Sequence, residues 1–295
     1  MRERKPIRFI AVLPSAVTLL NGFFGVSAIL VASIGQSMYN HFPLLSRVEL
    51  SYPAVAAWMI ILSMVADALD GSVARASGSS SAFGAQLDSL CDAVSFGVAP
   101  ALLSYKLFSD ELAQLGGDSS GYSNMAGRLV LFCAVFYALC ALVRLARFNV
   151  ETDADETSHM SFAGLPSPAA AGLVISLVIF REQFSSISII RMSIAGTALS
   201  DALRGVTLWC IPAALLLTGT LMVSRVVYPH IVNHMLRRRK PFIVLALTMF
   251  IGLFAIWNIH ISLLLGFLVF CFSGLVRKLV MIIRGRRKVK VVRKL

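Results

Sequence analysis

The sequence is 295 residues long, and 57% of these residues are hydrophobic while only 14% are charged. A soluble domain has about 25% charged residues, so this composition excludes an ordinary soluble protein. The formal net charge of +12 indicates contact with an anionic surface, which for so apolar a chain is a lipid bilayer. We therefore expect an all-α fold, a polytopic bundle of membrane helices.

Eight apolar runs approach the ~20 residues that a helix needs to cross a bilayer. In chain order they cover about 12–34, 52–74, 83–105, 126–146, 166–180, 207–226, 241–258 and 260–276. The fifth run is short, and the mixed stretch 181–205 after it either extends that span or lies along the surface. Since no repeat or long linker divides the chain, we expect residues 1–295 to form one membrane domain ending in the basic tail 277–295.

The basic residues predict the orientation of these spans, because cytoplasmic flanks collect Lys and Arg. If the eight spans begin and end on the cytoplasmic side, 21 of the 27 basic residues lie on that side. We therefore expect an integral protein of a bacterial inner membrane with both termini in the cytoplasm. The basic tail follows a span directly, which favours an anchor to anionic membrane lipids and argues against a nucleic-acid partner.

Four aspartates interrupt the second and third spans: Asp67, Asp70, Asp88 and Asp92, which we call the aspartate cluster. Separations of three and four residues place each pair on one face of its helix. The Ser- and Gly-rich stretch 77–81 predicts a turn between the two helices. Both pairs lie at similar distances from this turn, so an antiparallel hairpin brings all four carboxylates to one depth near the cytoplasmic surface.

Four carboxylates that converge in a medium of low dielectric constant repel one another and destabilise the fold. One or two divalent cations would remove this conflict. Ligand sets made only of oxygen suit Mg²⁺ or Mn²⁺, and Mg²⁺ usually keeps coordination positions for water or substrate phosphate. The aspartate cluster therefore predicts a divalent-cation site that binds a substrate carrying phosphate.

Small residues accompany the cluster. Gly71 and Gly84 each lie one helical turn from an aspartate and leave room for a ligand beside the carboxylates. Ala74 keeps the same groove open, and Arg75 can supply a positive charge for a diphosphate. Alternatively, the glycines serve only close helix packing, which is common in membranes. Close packing does not explain the four aspartates.

The pattern Asp-x2-Asp-Gly-x2-Ala-Arg-x8-Gly-x3-Asp-x3-Asp, which starts at Asp67, resembles the signature of the CDP-alcohol phosphatidyltransferases at all eight fixed positions. This resemblance implies a membrane helical bundle, usually a homodimer, with its site open to the cytoplasm. It implies two divalent cations on Asp67, Asp70 and Asp88, and makes Asp92 the base for the acceptor hydroxyl and a further metal ligand. It places the cytidine diphosphate of a CDP-lipid at Gly71, Ala74, Arg75 and Gly84.

Further stretches bear on the acceptor alcohol. Residues 87–100, 144–149 and 162–170 are similar to stretches of the serine-using subgroup of this family, and the resemblance extends over about 12–175. It implies transfer of a phosphatidyl group from CDP-diacylglycerol to the hydroxyl of L-serine, with release of CMP. At positions 14–15 the chain reads Pro-Ser where many members read Pro-Asn.

Polar residues on two other spans are candidates for substrate contact. Arg144, Arg147 and Asn149 lie at the cytoplasmic end of the fourth span and can bind the serine carboxylate or a lipid phosphate. The alternative is that the arginines only orient the span and pair with the acidic loop that follows. Thr18 and Asn21 lie three residues apart on the first span, where they bind either the nucleotide or a neighbouring helix.

Two rival functions stay open. The same transfer to glycerol 3-phosphate, inositol or choline differs only in the acceptor. A cation or proton transporter also carries intramembrane aspartates, but it predicts polar residues across the full depth of the bilayer and has no need of Gly71, Ala74 and Arg75. His230 and His234 share a helical face, yet no Cys, Asp or Glu lies near them in the sequence, so we expect interfacial residues and not a metal site.

Overall fold

The computed structural model describes residues 12–39, 51–77, 82–114, 125–154, 164–186, 194–226, 228 and 258–292. Within these ranges the chain is helical and contains no strand. The α-helices are α1 (Val12–Tyr39), α2 (Tyr52–Ser77), α3 (Ala82–Asp92), α4 (Ala99–Gln114), α5 (Met125–Ala154), α6 (Ser167–Ser186), α7 (Ile194–Val223) and α8 (Ile259–Val292). A π-helical segment, Ala93–Val98, joins α3 to α4.

Six helical stretches in these ranges are long and apolar enough to cross a membrane. They are Ala16–Gly35, Tyr52–Ser72, Phe83–Gln114, Met125–Val150, Arg204–Val223 and Ile259–Leu279. The predicted class, an all-α polytopic membrane bundle, is confirmed. Seven of the eight predicted spans coincide with a helix, whereas the span at 241–258 lies almost wholly outside the described residues. The count of eight therefore stays a prediction.

The stretch 181–205, which the sequence left unassigned, is divided between two helices. Helix α6 continues to Ser186, and α7 begins at Ile194. Helix α6 matches the short fifth predicted run but is not among the six membrane-crossing stretches. Its middle is buried among the other helices, with Val174, Ile175 and Val178 fully inaccessible.

One apolar core joins residues of α1, α2 and α4 to α8. Where α1 meets α2, the buried side chains are small: Ala28, Ala32, Ala56 and Ala57 are at most 1% exposed. Large apolar side chains of α1 point outward instead, among them Phe23 at 63% exposure. Small residues inside and large apolar residues outside are typical of helices that pack in lipid, because close approach replaces the hydrophobic effect as the source of stability.

The π-helical segment begins directly after Asp92 and is held from two sides. On α1, a β-carbon at Gly25 would lie 2.9 Å from the Cα of Ser95, so only glycine permits this crossing. On α5, Tyr137 donates a hydrogen bond of 2.8 Å to the backbone carbonyl of Phe96, and both side chains are fully buried. Short π segments inside α-helices are frequently found at functional sites.

The end of the bundle far from the aspartates carries a set of paired charges, the distal ion network. Arg181 of α6 is 1% exposed and forms salt bridges of 2.8 Å with Glu111 of α4 and with Glu182. Arg204 of α7 approaches Glu111 at 3.5 Å. These four residues join three helices through charges of opposite sign.

Candidate active site

The hairpin of α2 and α3 brings three aspartates together. Asp67, Asp88 and Asp92 each offer one carboxylate oxygen, and these oxygens lie within 4.8 Å of one another. All three side chains are partly buried. Helix α2 ends at Ser77 and α3 begins at Ala82, which agrees with the predicted turn. Oxygens at this spacing suit a hard divalent cation.

Asp70, the fourth member of the cluster, is more buried, with 8% of its surface exposed, and is outside the group of three. The Thr18 hydroxyl of α1 donates a hydrogen bond to its Oδ2. Its Oδ1 is buried and has no hydrogen-bond partner among the described residues. Leaving a buried carboxylate oxygen unsatisfied is costly, so this atom also fits a site that is completed by a cation.

The cluster concentrates negative charge. Asp67 interacts repulsively with Asp70 and Asp88, and Asp92 with Asp67 and Asp88. Within the part of the chain that the structure describes, none of these carboxylates forms a salt bridge. Uncompensated like charges at partly buried positions destabilise a fold unless cations are bound. The carboxylate oxygens, their spacing and the unpartnered Oδ1 of Asp70 thus fit the predicted divalent cations.

Asn21 of α1 orients Asp92. Its side-chain nitrogen donates a hydrogen bond of 3.0 Å to Asp92 Oδ1, while its side-chain oxygen accepts one from the Ser63 hydroxyl of α2. The Ser95 hydroxyl donates to the Asn21 backbone oxygen at 3.1 Å. Asn21, Ser63 and Ser95 are fully buried. Because the Asn21 side-chain oxygen accepts from Ser63, its side-chain nitrogen faces Asp92. This hydrogen bond holds one carboxylate oxygen of Asp92 in place.

These contacts support one of the two alternatives that the sequence left open for Thr18 and Asn21, namely contact with a neighbouring helix. Both side chains bind aspartates on neighbouring helices, Asp70 and Asp92 respectively. Sequence reasoning missed the serines that support Asn21. A usable signal existed, because Ser63 lies four residues before one aspartate and Ser95 three residues after another, each inside an apolar run.

The predicted residues of α5 lie at the edge of the site. Arg144 donates a hydrogen bond to the Ser167 hydroxyl at the start of α6 and interacts electrostatically with Asp92. Asn149 accepts a hydrogen bond of 3.0 Å from the Ser89 hydroxyl of α3. Arg147 lies partly buried on the same helix. Contact of these residues with a substrate stays a prediction.

The predicted nucleotide-binding residues are only partly described. Gly71 of α2 and Gly84 of α3 are partly buried near the carboxylates. Ala74 and Arg75 belong to α2, but their side chains lie outside the described part of the chain, as do His230 and His234. The assignment of the cytidine diphosphate to these residues therefore also stays a prediction.

Comparisons with known proteins agree with this geometry. The sequence profile of the family described as CDP-alcohol phosphatidyltransferase matches residues 11–218. The CDP-diacylglycerol–serine O-phosphatidyltransferase of Helicobacter pylori is 29% identical over 266 residues, which cover 86% of this chain and 92% of that protein. The protein of the same name from Methanocaldococcus jannaschii is 34% identical over 66% of this chain and 74% of its own length. Its counterpart in Saccharomyces cerevisiae is 35% identical over 55% of this chain and 51% of its own length.

Proposed function

Because the chain belongs to the CDP-alcohol phosphatidyltransferase family, we propose that it transfers a phosphatidyl group from CDP-diacylglycerol to the hydroxyl of L-serine. The products are phosphatidylserine and CMP. The observation that carries this proposal is the group formed by Asp67, Asp88 and Asp92 on the two helices of the α2–α3 hairpin. Similarity along most of the chain to enzymes named for serine favours this acceptor over the other alcohols.

The aspartate cluster would hold two divalent cations, Mg²⁺ or Mn²⁺. When bound, such ions neutralise the diphosphate of the substrate and stabilise the negative charge that develops on the leaving CMP. Asp67, Asp70 and Asp88 are the principal ligands in this proposal, with Asp92 as an additional one. The unpartnered Oδ1 of Asp70 supports its inclusion.

The remaining residues bind and orient the two substrates. Asp92, fixed by Asn21, accepts the proton of the serine hydroxyl as that oxygen attacks the phosphorus bonded to the lipid. The bond from this phosphorus to the CMP oxygen breaks, and CMP leaves. Arg144 and its neighbours Arg147 and Asn149 bind the serine carboxylate or the lipid phosphate. The predicted nucleotide-binding residues Gly71, Ala74, Arg75 and Gly84 receive the cytidine diphosphate.

We place the site on the cytoplasmic side of a bacterial inner membrane, with both termini in the cytoplasm, as the distribution of basic residues favours. We also propose that residues 1–295 form one domain, since all the described α-helices except α3 contribute to one core, and that two copies form a homodimer, as the family resemblance implies. Membrane lipids would contact the apolar side chains that point outward from the bundle.

An acceptor panel tests the reaction. Purified protein is incubated with CDP-diacylglycerol and Mg²⁺ or Mn²⁺, separately with L-serine, glycerol 3-phosphate, inositol and choline, and the lipid product is identified by mass spectrometry. We expect phosphatidylserine together with an equal amount of CMP. A product formed with another alcohol but not with serine would assign the protein to a different acceptor.

The described part of the core does not favour the rival transporter function. Between the aspartate cluster and the distal ion network, the core side chains Ile60, Leu103 and Val174 are apolar and fully buried. Release of CMP by detergent-solubilised protein, without any ion gradient, supports the transferase. Ion flux in proteoliposomes without CMP release would support the transporter.

A further inference from the structure

Tyr137 of α5 is a buried residue whose hydroxyl reaches the π-helical segment. The hydroxyl donates a hydrogen bond of 2.8 Å to the backbone carbonyl of Phe96, and both side chains are fully buried. A buried hydroxyl costs its desolvation unless it is bonded, and phenylalanine would fill the same space without that cost. The bond to the Phe96 carbonyl is therefore what tyrosine adds at this position.

The carbonyl of Phe96 lacks its usual α-helical donor. In an α-helix it would accept from the N–H of residue 100, but Pro100 has no N–H, and its ring would clash with that carbonyl. Proline by itself usually kinks a helix. Here the chain forms a wider turn, in which the N–H of Ala99 bonds the Val94 carbonyl, and α5 supplies an additional donor. Tyr137 thus provides the hydrogen bond that Pro100 cannot make.

The π-helical segment sets the angle about the helix axis between α3 and α4. Its wider hydrogen-bonding pattern adds one residue to the α-helical register, and one residue corresponds to about 100° around an α-helix. Helix α4 is fixed by its core side chains, with Leu103 and Leu107 at 0% and 4% exposure. The extra residue therefore decides toward which side α3 presents Asp88 and Asp92. In this structure that side faces Asp67.

Asp92, which directly precedes the segment, is held through α1 and through α5. On α1, Asn21 donates to the Asp92 carboxylate at 3.0 Å, and its backbone oxygen accepts from the Ser95 hydroxyl at 3.1 Å. On α5, Tyr137 binds the carbonyl of Phe96, the residue after Ser95. Asn21 therefore holds the carboxylate directly, whereas Tyr137 holds the backbone that follows it.

We propose that Tyr137 is a positioning residue for the transfer reaction. Its hydroxyl keeps the segment Ala93–Val98 in the π-helical register and so holds Asp92 where this carboxylate accepts the proton of the acceptor hydroxyl. The inference rests on the proposed function, in which Asp92 is that base. It assigns a role to a residue of α5 that acts through the backbone of another helix.

Removal of the hydroxyl tests this role. In Tyr137→Phe the ring stays, and we expect kcat per folded molecule to fall about threefold to tenfold, the factor that one neutral hydrogen bond can supply. KM for L-serine and for CDP-diacylglycerol should change by less than about twofold, because the proposal gives Tyr137 no contact with either substrate. The matched control is Tyr228→Phe, which should leave kcat unchanged. Tyr228 is also buried, and its hydroxyl donates to a helix carbonyl, that of Cys271 on α8, at 3.2 Å.

A double variant tests whether the effect of Tyr137 passes through Asp92. Asn21→Ala already releases one oxygen of that carboxylate. If Tyr137 positions the same group, adding Tyr137→Phe to Asn21→Ala should lower kcat by less than about twofold further, because effects on a shared partner are not additive. The full loss of the single variant, repeated in the Asn21→Ala background, would show that Tyr137 acts elsewhere and would overturn the proposal.

Hydrogen exchange measures the π-helical segment independently of activity. In Tyr137→Phe, peptides that cover Ala93–Val98 should exchange their amide hydrogens faster than in the unmodified protein, because local opening of the segment has become easier. In Tyr228→Phe, exchange of the same peptides should be unchanged. Equal exchange of this segment in Tyr137→Phe and in the unmodified protein would also overturn the proposal.

The outcomes separate this inference from the proposed reaction. If the unmodified protein forms no phosphatidylserine, the proposed function fails. If it is active and Tyr137→Phe has the kcat of the control, the positioning role is wrong. Should Tyr137→Phe not fold, Pro100→Ala decides, because an N–H at position 100 offers the Phe96 carbonyl an α-helical donor. This variant should lower kcat without lowering the thermal midpoint, and an undiminished kcat would then refute the inference.

Discussion

The two ends of the bundle differ in whether their buried charges are paired with charges of opposite sign. In the distal ion network, Arg181 is 1% exposed but lies 2.8 Å from carboxylate oxygens of both Glu111 and Glu182. At the other end, the aspartate cluster groups Asp67, Asp88 and Asp92 beside the buried Asp70, without a salt bridge within the described part of the chain. One end pairs charges of opposite sign, whereas the other groups charges of the same sign, which is the arrangement that the proposed cations would neutralise.

This difference separates a structural role from a functional one. A buried ion pair must offset its own desolvation, and removing one partner leaves an uncompensated charge. The distal ion network therefore joins α4, α6 and α7 and contributes to the fold. The unbalanced aspartates lower stability in the absence of metal, which is the usual consequence of building a binding site for charged ligands. The predictions below test this contrast, from the largest expected effect to the smallest.

Neutralising one metal ligand should abolish activity without unfolding the protein. For Asp88→Asn we expect a loss of about 10³-fold in CMP release, because a cation ligand and its electrostatic stabilisation are lost. Because repulsion with Asp67 and Asp70 is relieved, the thermal midpoint in EDTA should rise. The matched control is Asp110→Asn on α4, far from the cluster, which should remain active. Undiminished activity of Asp88→Asn would remove Asp88 from the site.

Replacing Arg181, the central positive charge of the distal ion network, should lower stability and leave activity unchanged, which is the opposite of the result expected for Asp88→Asn. In Arg181→Met, Glu111 and Glu182 lose their buried partner, and we expect the free energy of unfolding to fall by about 3–5 kcal/mol. Activity per folded molecule should stay near that of the unmodified protein. Thermal unfolding in detergent measures the loss, with the exposed Arg225→Met as the control. A catalytic defect without a change in stability would contradict the structural role.

Cation binding should stabilise the protein only through the aspartate cluster. Treatment with EDTA should eliminate activity, and Mg²⁺ or Mn²⁺ should restore it. At a metal concentration of about 100 times the dissociation constant, binding adds about 2.7 kcal/mol to the free energy of unfolding. This stabilisation should be absent in Asp67→Asn and present in Arg181→Met, as thermal shifts with and without metal would show. Equal stabilisation of both variants would place the cation elsewhere.

The smallest expected effect concerns the orientation of Asp92. In Asn21→Ala, the hydrogen bond to the Asp92 carboxylate is lost, a contribution of about 1.5–3 kcal/mol for a charged partner. We expect kcat per folded molecule to fall by about tenfold to a hundredfold. The control is Ser33→Ala, an exposed position on the same helix whose hydroxyl donates a hydrogen bond to the Ile29 carbonyl of its own helix. A kcat equal to that of the control would show that Asn21 does not orient Asp92.

Several features of the site could not be predicted from the sequence because they join residues far apart in the chain. Thr18 binds Asp70 across 52 positions, and Asn21 binds Asp92 across 71. The pattern identified Thr18 and Asn21 as polar residues on one face but left their partners open. The π-helical segment after Asp92 was not predicted, since its extra residue is stabilised by contacts with α1 and α5 and has no local signature.

Fold class and the place of the acidic hairpin were decided by local properties of the chain. Apolar content, the length of each run and the separations of three and four between carboxylates follow from the helix repeat and from the cost of burying polar groups in lipid. Whether Asp70 joins the group of three and how Arg181 is neutralised depend on how separate helices cross. Those crossings are set by side-chain packing between distant segments, so only the tertiary structure decided them.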